Sequence, residues 1–228
     1  MFPTLDSTLI IAEIGNNHEG SIVVARELIV RAAETGVDAV KFQTFVPEHY
    51  CSVRDTARME TLNRFRLTYD QFAELAEFAR SKGLMFLSTP FDLKSAAFLG
   101  TIVDAIKIAS GDNTFYPLIR EAAKTGKPLI ISTGLADRED MTKAVACAQD
   151  TWIRQGTTGD LALLHCVASY PVPTGQANLA AIRTMIDTFP DLPIGYSDHT
   201  IGPEAAVLAV ALGAQIIEKH FTLDTAFS

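Results

Sequence analysis

The sequence predicts a (β/α)8 TIM barrel of the α/β class. Three observations carry that prediction. Eight short apolar runs alternate with longer helical patterns. Several of the helical patterns stop at a glycine, which takes a left-handed C-terminal conformation cheaply. Nearly every apolar run ends in polar residues, as strands do at the catalytic mouth of a parallel barrel.

The strand candidates are Leu9–Ile14, Ala39–Gln43, Leu84–Ser88, Ala105–Ala109, Pro128–Ser132, Leu161–Cys166, Pro193–Ser197 and Gln215–Lys219. They are short and several are apolar throughout, as strands covered on both faces are. The helical patterns Ser21–Thr35, Tyr69–Lys82, Thr114–Thr125 and Pro203–Leu212 run into Gly36, Gly83, Gly126 and Gly213. Arg138–Gln155, Ala177–Phe189 and the shorter Asp92–Leu99 complete the set. A doubly wound open sheet is the alternative, but no GxGxxG turn follows a strand. The segment Val46–Leu67 reads as a long loop rich in arginine, either a lid over the site or a solvated surface loop. Only Phe221–Ser228 follow the eighth strand, so no eighth helix is expected.

The chain has 228 residues, 48% hydrophobic and 20% charged, which suits one globular domain spanning 1–228. A net charge of −8 argues against nucleic acid or an anionic membrane as partner. Cys51, Cys147 and Cys166 form no zinc or disulfide spacing, and the start MFPTLDST lacks secretory-signal features, so a cytoplasmic setting is expected.

The strand ends carry Glu13; Lys41 with Gln43; Ser88 with Thr89; Lys107 with Ser110; Ser132; His165; Ser197 with His199; and Glu218 with His220. Strand side chains alternate, so Lys41 shares a face with Gln43, and Glu218 with His220. A barrel end lined with lysines, hydroxyls and carboxylates is poor packing and calls for a polar ligand. Lys41 and Lys107 either snorkel or bind a phosphate or carboxylate. Ser110, Ser132 and Ser197 add hydroxyls of the kind phosphate pockets use. His199 and His220 are candidate metal ligands, or else hydrogen-bonded structural histidines. His165, inside LALLHCV, reads as a core histidine, whereas His18 in GNNHEG is within reach of the site. Glu13 is a candidate general base.

Together IAEIGNNHEG, VKFQTF, FLSTPFD, KIASGD, LIISTG, LLHCVASYPVP, IGYSDHT and EKHFTLD resemble the N-acetylneuraminate (sialic acid) synthase family, with its legionaminate, pseudaminate and spore-coat polysaccharide members. The resemblance implies condensation of phosphoenolpyruvate with the aldehyde of an N-acylated amino sugar such as N-acetylmannosamine, releasing phosphate. It implies a divalent metal, commonly Mn2+, with Mg2+ or Co2+ as alternatives, held by His199 and His220. Lys41, Thr89, Lys107, Ser110, Ser132 and Ser197 would hold phosphoenolpyruvate, Gln43 and Tyr170 would lie by the sugar, and Glu13 by the reacting carbons. Ala168 stands where many members have a polar residue, so one hydrogen bond near the phosphate is either missing or supplied by Ser169. The resemblance implies a final barrel helix and a C-terminal antifreeze-like domain after EKHFTLD, and neither is expected within residues 1–228. Seven helices cannot cover eight strands, so an apolar strip between the first and seventh helices is expected, and it favours self-association, for instance as a homodimer. Two other readings stay open: a Schiff-base aldolase using Lys41, Lys107 or Lys219, and a barrel that binds phosphoenolpyruvate and metal with little turnover.

Overall fold

The computed structural model describes residues 7–173 and 175–224. Eight parallel strands close into a barrel in sequence order. They are β1 (Leu9–Gly15), β2 (Ala39–Thr44), β3 (Met85–Pro90), β4 (Ala105–Ile108), β5 (Leu129–Ser132), β6 (Leu161–Cys166), β7 (Ile194–Asp198) and β8 (Ile216–His220). Closure comes from β1 pairing with β8, with Leu9 opposite Ile216 and Glu13 opposite His220.

The helices are α1 (Ile22–Glu34), α2 (Pro47–Tyr50), α3 (Thr56–Phe65), α4 (Tyr69–Ser81), α5 (Leu93–Leu99), α6 (Tyr116–Lys124), α7 (Arg138–Gln155), α8 (Ala180–Thr188) and α9 (Glu204–Ala211). Local signals set their ends. Thr68 and Gln71 form a capping box at the start of α4, as Asp137 and Asp140 do for α7. The segment read as a long loop contains α2 and α3. Asp55 caps α3 by accepting from the Arg58 amide, and only Leu62 of that helix is buried. Among the described residues no helix follows β8. Val23 on α1 and Val207 and Leu208 on α9 are exposed apolar side chains.

Two apolar layers follow from the period of two along each strand. The outer one packs strands on helices, with Phe42, Phe86, Ile106, Ile131, Leu163 and Tyr196 buried in it. The inner one plugs the barrel with Leu9, Ile11, Ala39, Leu87, Ala105, Ile130, Ala162, Leu164 and Ile216. Gly195 completes the plug, because a Cβ there would fall 2.4 Å from the Ile216 carbonyl and 2.5 Å from Leu164. The next inward residue along each strand is then Glu13, Lys41, Thr89, Lys107, Ser132, Cys166, Ser197 and Glu218. Each is two positions past a plug residue or Gly195, so the polar end of the barrel is a direct consequence of strand alternation.

Two histidines resolve differently from the pair at the rim. His165 Nε2 bonds the Ala177 carbonyl at 2.8 Å and its ring stacks on Tyr196, so it is a core histidine as expected. His18 does not reach the cavity. It is fully buried beside Phe42, with Nδ1 accepting from the Gly20 amide at 3.0 Å and Nε2 unpartnered among the described residues. Burial lowers its pKa from 6.5 to about 4. The unfolded chain therefore binds more protons here than the folded one between those values, so stability present above pH 6.5 is lost as pH falls toward 4. The loss is expected to reach roughly 3 kcal/mol. Urea unfolding of His18→Asn, compared with the parent at about pH 7 and about pH 4.5, should show a shallower pH dependence in the variant.

Candidate active site

A cavity of about 480 Å³ opens at the C-terminal ends of the strands. All eleven residues singled out by sequence line it: Glu13, Lys41, Gln43, Thr89, Lys107, Ser110, Ser132, Tyr170, Ser197, His199 and His220. A larger hollow of about 770 Å³ between α8 and α9 is mainly apolar, with Glu204 its one ionisable wall residue among the described residues. The barrel mouth is where ionisable groups converge.

At the cavity floor two ammonium and two carboxylate groups are buried together. Lys41 Nζ lies 2.5 Å from Glu13 Oε2 and 3.2 Å from Thr89 Oγ1. Glu218 Oε1 lies 3.4 Å from Lys107 Nζ and accepts from Ser197 Oγ at 2.8 Å, while its other oxygen is 3.8 Å from Lys41. Burial opposes the Lys41 charge, but the Glu13 and Glu218 carboxylates outweigh it and raise the pKa. Burial dominates at Lys107 and lowers its pKa, with the Lys41 charge adding to the fall and Glu218 resisting it. Glu218 is also penalised by burial, yet Lys107 and Lys41 hold its carboxyl well below the usual range. Burial raises Glu13. Glu13 and Lys41 thus both shift upward, which favours charge on the lysine and disfavours it on the acid. The close contact with the Lys41 ammonium decides for an ion pair. With all four groups charged, the floor is electrically neutral.

Hydroxyls stand beside these charges. Ser132 Oγ is buried with no partner among the described residues. Ser110 Oγ accepts from the Gly134 amide at 3.1 Å, and a Cβ at Gly134 would come within 2.7 Å of that oxygen. Glycine is what lets the loop after β5 approach Ser110. Ala168 lines the cavity, but Ser169 does not replace it, because its hydroxyl donates to the Pro171 carbonyl.

The rim holds His199 and His220. Their ring centroids are 5.3 Å apart, and Tyr170 packs on His199 at 4.1 Å. His199 Nδ1 bonds the Val167 carbonyl at 3.0 Å. That contact fixes the tautomer and leaves Nε2 as a lone-pair donor, as carbonyl-anchored histidines at metal sites do. Burial lowers the His220 pKa and favours neutral imidazole. Two neutral imidazoles can hold a divalent ion and leave open positions for other ligands. No group of three metal-ligating side chains occurs among the described residues. Lys219 is not a free nucleophile, since its ammonium pairs with Asp198 at 2.7 Å and bonds the Thr200 carbonyl.

Four further polar side chains of the cavity wall were given no role from the sequence. Glu218 was placed on the His220 strand face but not assigned to the site. Tyr50 comes from α2, the unrecognised helix, and stacks on Phe91 at 4.7 Å. Asp112 and Cys166 also line the wall, and neither residue type advertises itself in isolation.

Known proteins share this arrangement of chain. The NeuB family model matches residues 28–228. An N,N'-diacetyllegionaminic acid synthase from Legionella pneumophila is 39% identical over 94% of this chain and 64% of its own length. The mouse N-acetylneuraminate-9-phosphate synthase is 35% identical over 94% of this chain and 62% of its own. The chain thus spans somewhat less than two thirds of these relatives. The crystal structure of a sialic acid synthetase from Leptospira borgpetersenii, in complex with citrate, superposes with a TM-score of 0.90 at 36% identity, covering 98% of this chain and 76% of that one. A closed parallel barrel, motifs spread from β1 to β8 and a family match over most of the length agree, and the chain belongs to the NeuB family.

Proposed function

We propose that this barrel condenses phosphoenolpyruvate with the open-chain aldehyde of an N-acylated amino sugar, giving a nonulosonic acid and phosphate. The observation that carries the reading is the buried Lys41–Glu13–Glu218–Lys107 cluster at the cavity floor, beside an unpaired hydroxyl and below paired imidazoles. Its relatives' names supply the chemistry: they make legionaminic and sialic-type acids.

In this reading Lys107, Ser132 and Ser197 hold the phosphate, and Lys41 with Thr89 meets the carboxylate, with Ser110 completing the cradle. Fixed charges in a dry pocket orient the enol carbon toward the aldehyde and need no reorganisation during reaction. C3 of phosphoenolpyruvate forms the new bond to the aldehyde carbon as the C=C bond opens and positive charge grows at C2. The aldehyde oxygen becomes a hydroxyl by taking up one proton, balanced by the one that the attacking water releases. Water adds at C2 with its proton passing to Glu13, whose basicity burial increases. The C2–O bond to phosphate then breaks, and Lys107 and the hydroxyls stabilise the departing anion. Gln43 and Tyr170 face the sugar. A divalent ion held by His199 and His220, Mn2+ foremost, would supply Lewis acidity toward the aldehyde oxygen and positive charge that the neutral floor lacks.

Calorimetry tests both parts. Phosphoenolpyruvate should bind the chain saturably at one site, and absence of binding would refute the reading. His199→Ala should weaken Mn2+ binding by at least about tenfold, roughly 1.4 kcal/mol. Unchanged Mn2+ affinity in both His199→Ala and His220→Ala would place the metal elsewhere.

A further inference from the structure

Asn16 lies in the turn after β1, next to the cavity but not in its wall. The chain enters that turn through a register shift against β2 between Glu13 and Gly15. Irregularities of this kind re-aim the residues around them. Gly15 has φ of +54°, and a Cβ there would lie 3.0 Å from Glu13 Oε1 and 3.4 Å from Gln43 Nε2. A glycine therefore lets the backbone fold tightly over the Glu13–Gln43 contact. Asn16 Nδ2 donates to Gln43 Oε1 at 2.8 Å, and Gln43 Nε2 donates onward to Glu13 Oε1 at 3.4 Å.

The direction of this relay is fixed from its carboxylate end. Glu13 is ionised against Lys41, so it only accepts. Facing it, Gln43 must present its NH2 group, and its carbonyl oxygen turns back toward residue 16. Only a donor can meet that oxygen. Asn16 provides one, and its own carbonyl oxygen is left buried without a partner among the described residues. A buried unpaired carbonyl is unfavourable, so packing alone does not account for an amide at this place.

We propose that Asn16 is a positioning residue that sets how the site reads its acceptor. It locks the Gln43 amide with the NH2 group toward Glu13 and the cavity. The site then recognises an oxygen of the amino sugar, a hydroxyl or the acyl carbonyl, and disfavours a hydrogen-bond donor there. The proposal rests on the synthase reading, in which Gln43 lies beside the sugar.

Asn16→Asp keeps the size of the side chain and replaces its donor with an acceptor. The carboxylate at residue 16 then competes with Glu13 for the Gln43 NH2 group and draws it away from the cavity. Asn16→Ala only frees the Gln43 amide. The probe is the alditol of N-acetylmannosamine, which lacks the aldehyde and cannot react. It is titrated calorimetrically into the 228-residue chain with Mn2+ and phosphoenolpyruvate present, and phosphoenolpyruvate is titrated separately. Asn16→Asp should weaken the alditol by at least about tenfold, and by more than Asn16→Ala does, with phosphoenolpyruvate affinity within about twofold of the parent in both. Equal alditol affinity in parent and Asn16→Asp overturns the proposal. So does a larger loss in Asn16→Ala with a lowered thermal midpoint, which marks a packing role. A parent that binds phosphoenolpyruvate but no alditol removes Gln43 from the acceptor site and the proposal with it. A parent that binds neither overturns the synthase reading as well.

Discussion

Lys107→Met is expected to weaken phosphoenolpyruvate binding by on the order of 1.5–3 kcal/mol, the cost of one charge-assisted contact. Met keeps most of the volume and loses the ammonium. The complication is Glu218, which sits 3.4 Å from Lys107 and 3.8 Å from Lys41. Removing Lys107 leaves a buried carboxylate short of one of its two cations, so the variant should also lose stability. A second variant separates the effects. Lys107→Met combined with Glu218→Leu removes the whole pair and leaves Lys41 matched by Glu13 alone. Its stability should recover most of the loss, since an apolar replacement of a buried pair is often neutral. Its affinity for phosphoenolpyruvate should stay low. If the double variant regains both stability and binding, Lys107 acts only through the fold.

Glu218→Gln should produce two effects of opposite sign. The parent floor carries two ammoniums and two carboxylates, all buried. Neutralising Glu218 leaves it with one net positive charge, next to a lysine whose charge burial already disfavours. Breaking one side of such a pair should destabilise the unliganded chain by on the order of 3 kcal/mol, less whatever the Gln amide retains of the Ser197 contact. The same excess charge should favour a multiply charged anion. Phosphoenolpyruvate should therefore raise the thermal midpoint of the variant more than that of the parent, because tighter binding to the folded state stabilises it more. Thermal scans of both proteins with and without phosphoenolpyruvate check this. A variant that is less stable and also less responsive to the ligand would give Glu218 a direct role in holding it.

Much of the barrel was legible because its signals are local and redundant. The apolar runs, the glycines after α1, α4 and α6, and the polar strand ends all agree. Strand boundaries moved by a residue or so, as the ends of regular elements commonly do. The helices α2 and α3 were not legible. In α3 a helix that buries one leucine has almost no apolar stripe to read, and α2 is a single turn. Tyr50 was lost with them. The site residues on the strands were legible because they follow plug residues at a spacing of two, and the family resemblance assigned them roles. Two details escaped for a different reason. His18 and Ser169 each bond to nearby backbone, and that local choice decides whether a polar side chain turns toward or away from a cavity. Glu218 was placed on the His220 face by the same alternation, but its contacts with two buried lysines and Ser197 depend on three other strands and were not legible.

The most direct test of the synthase reading is product formation in a single turnover. The chain, at a concentration equal to that of its substrates, is mixed with Mn2+, phosphoenolpyruvate and N-acylated amino sugars including N-acetylmannosamine. The mixture is read by mass spectrometry with and without borohydride. The expected result is a nonulosonic acid that joins the three carbons of phosphoenolpyruvate to the sugar, free phosphate in equal amount, and no covalent adduct on the protein. A borohydride-trapped adduct on Lys41 or Lys107, with no such acid formed, would contradict the synthase reading and place the chemistry with the Schiff-base aldolases.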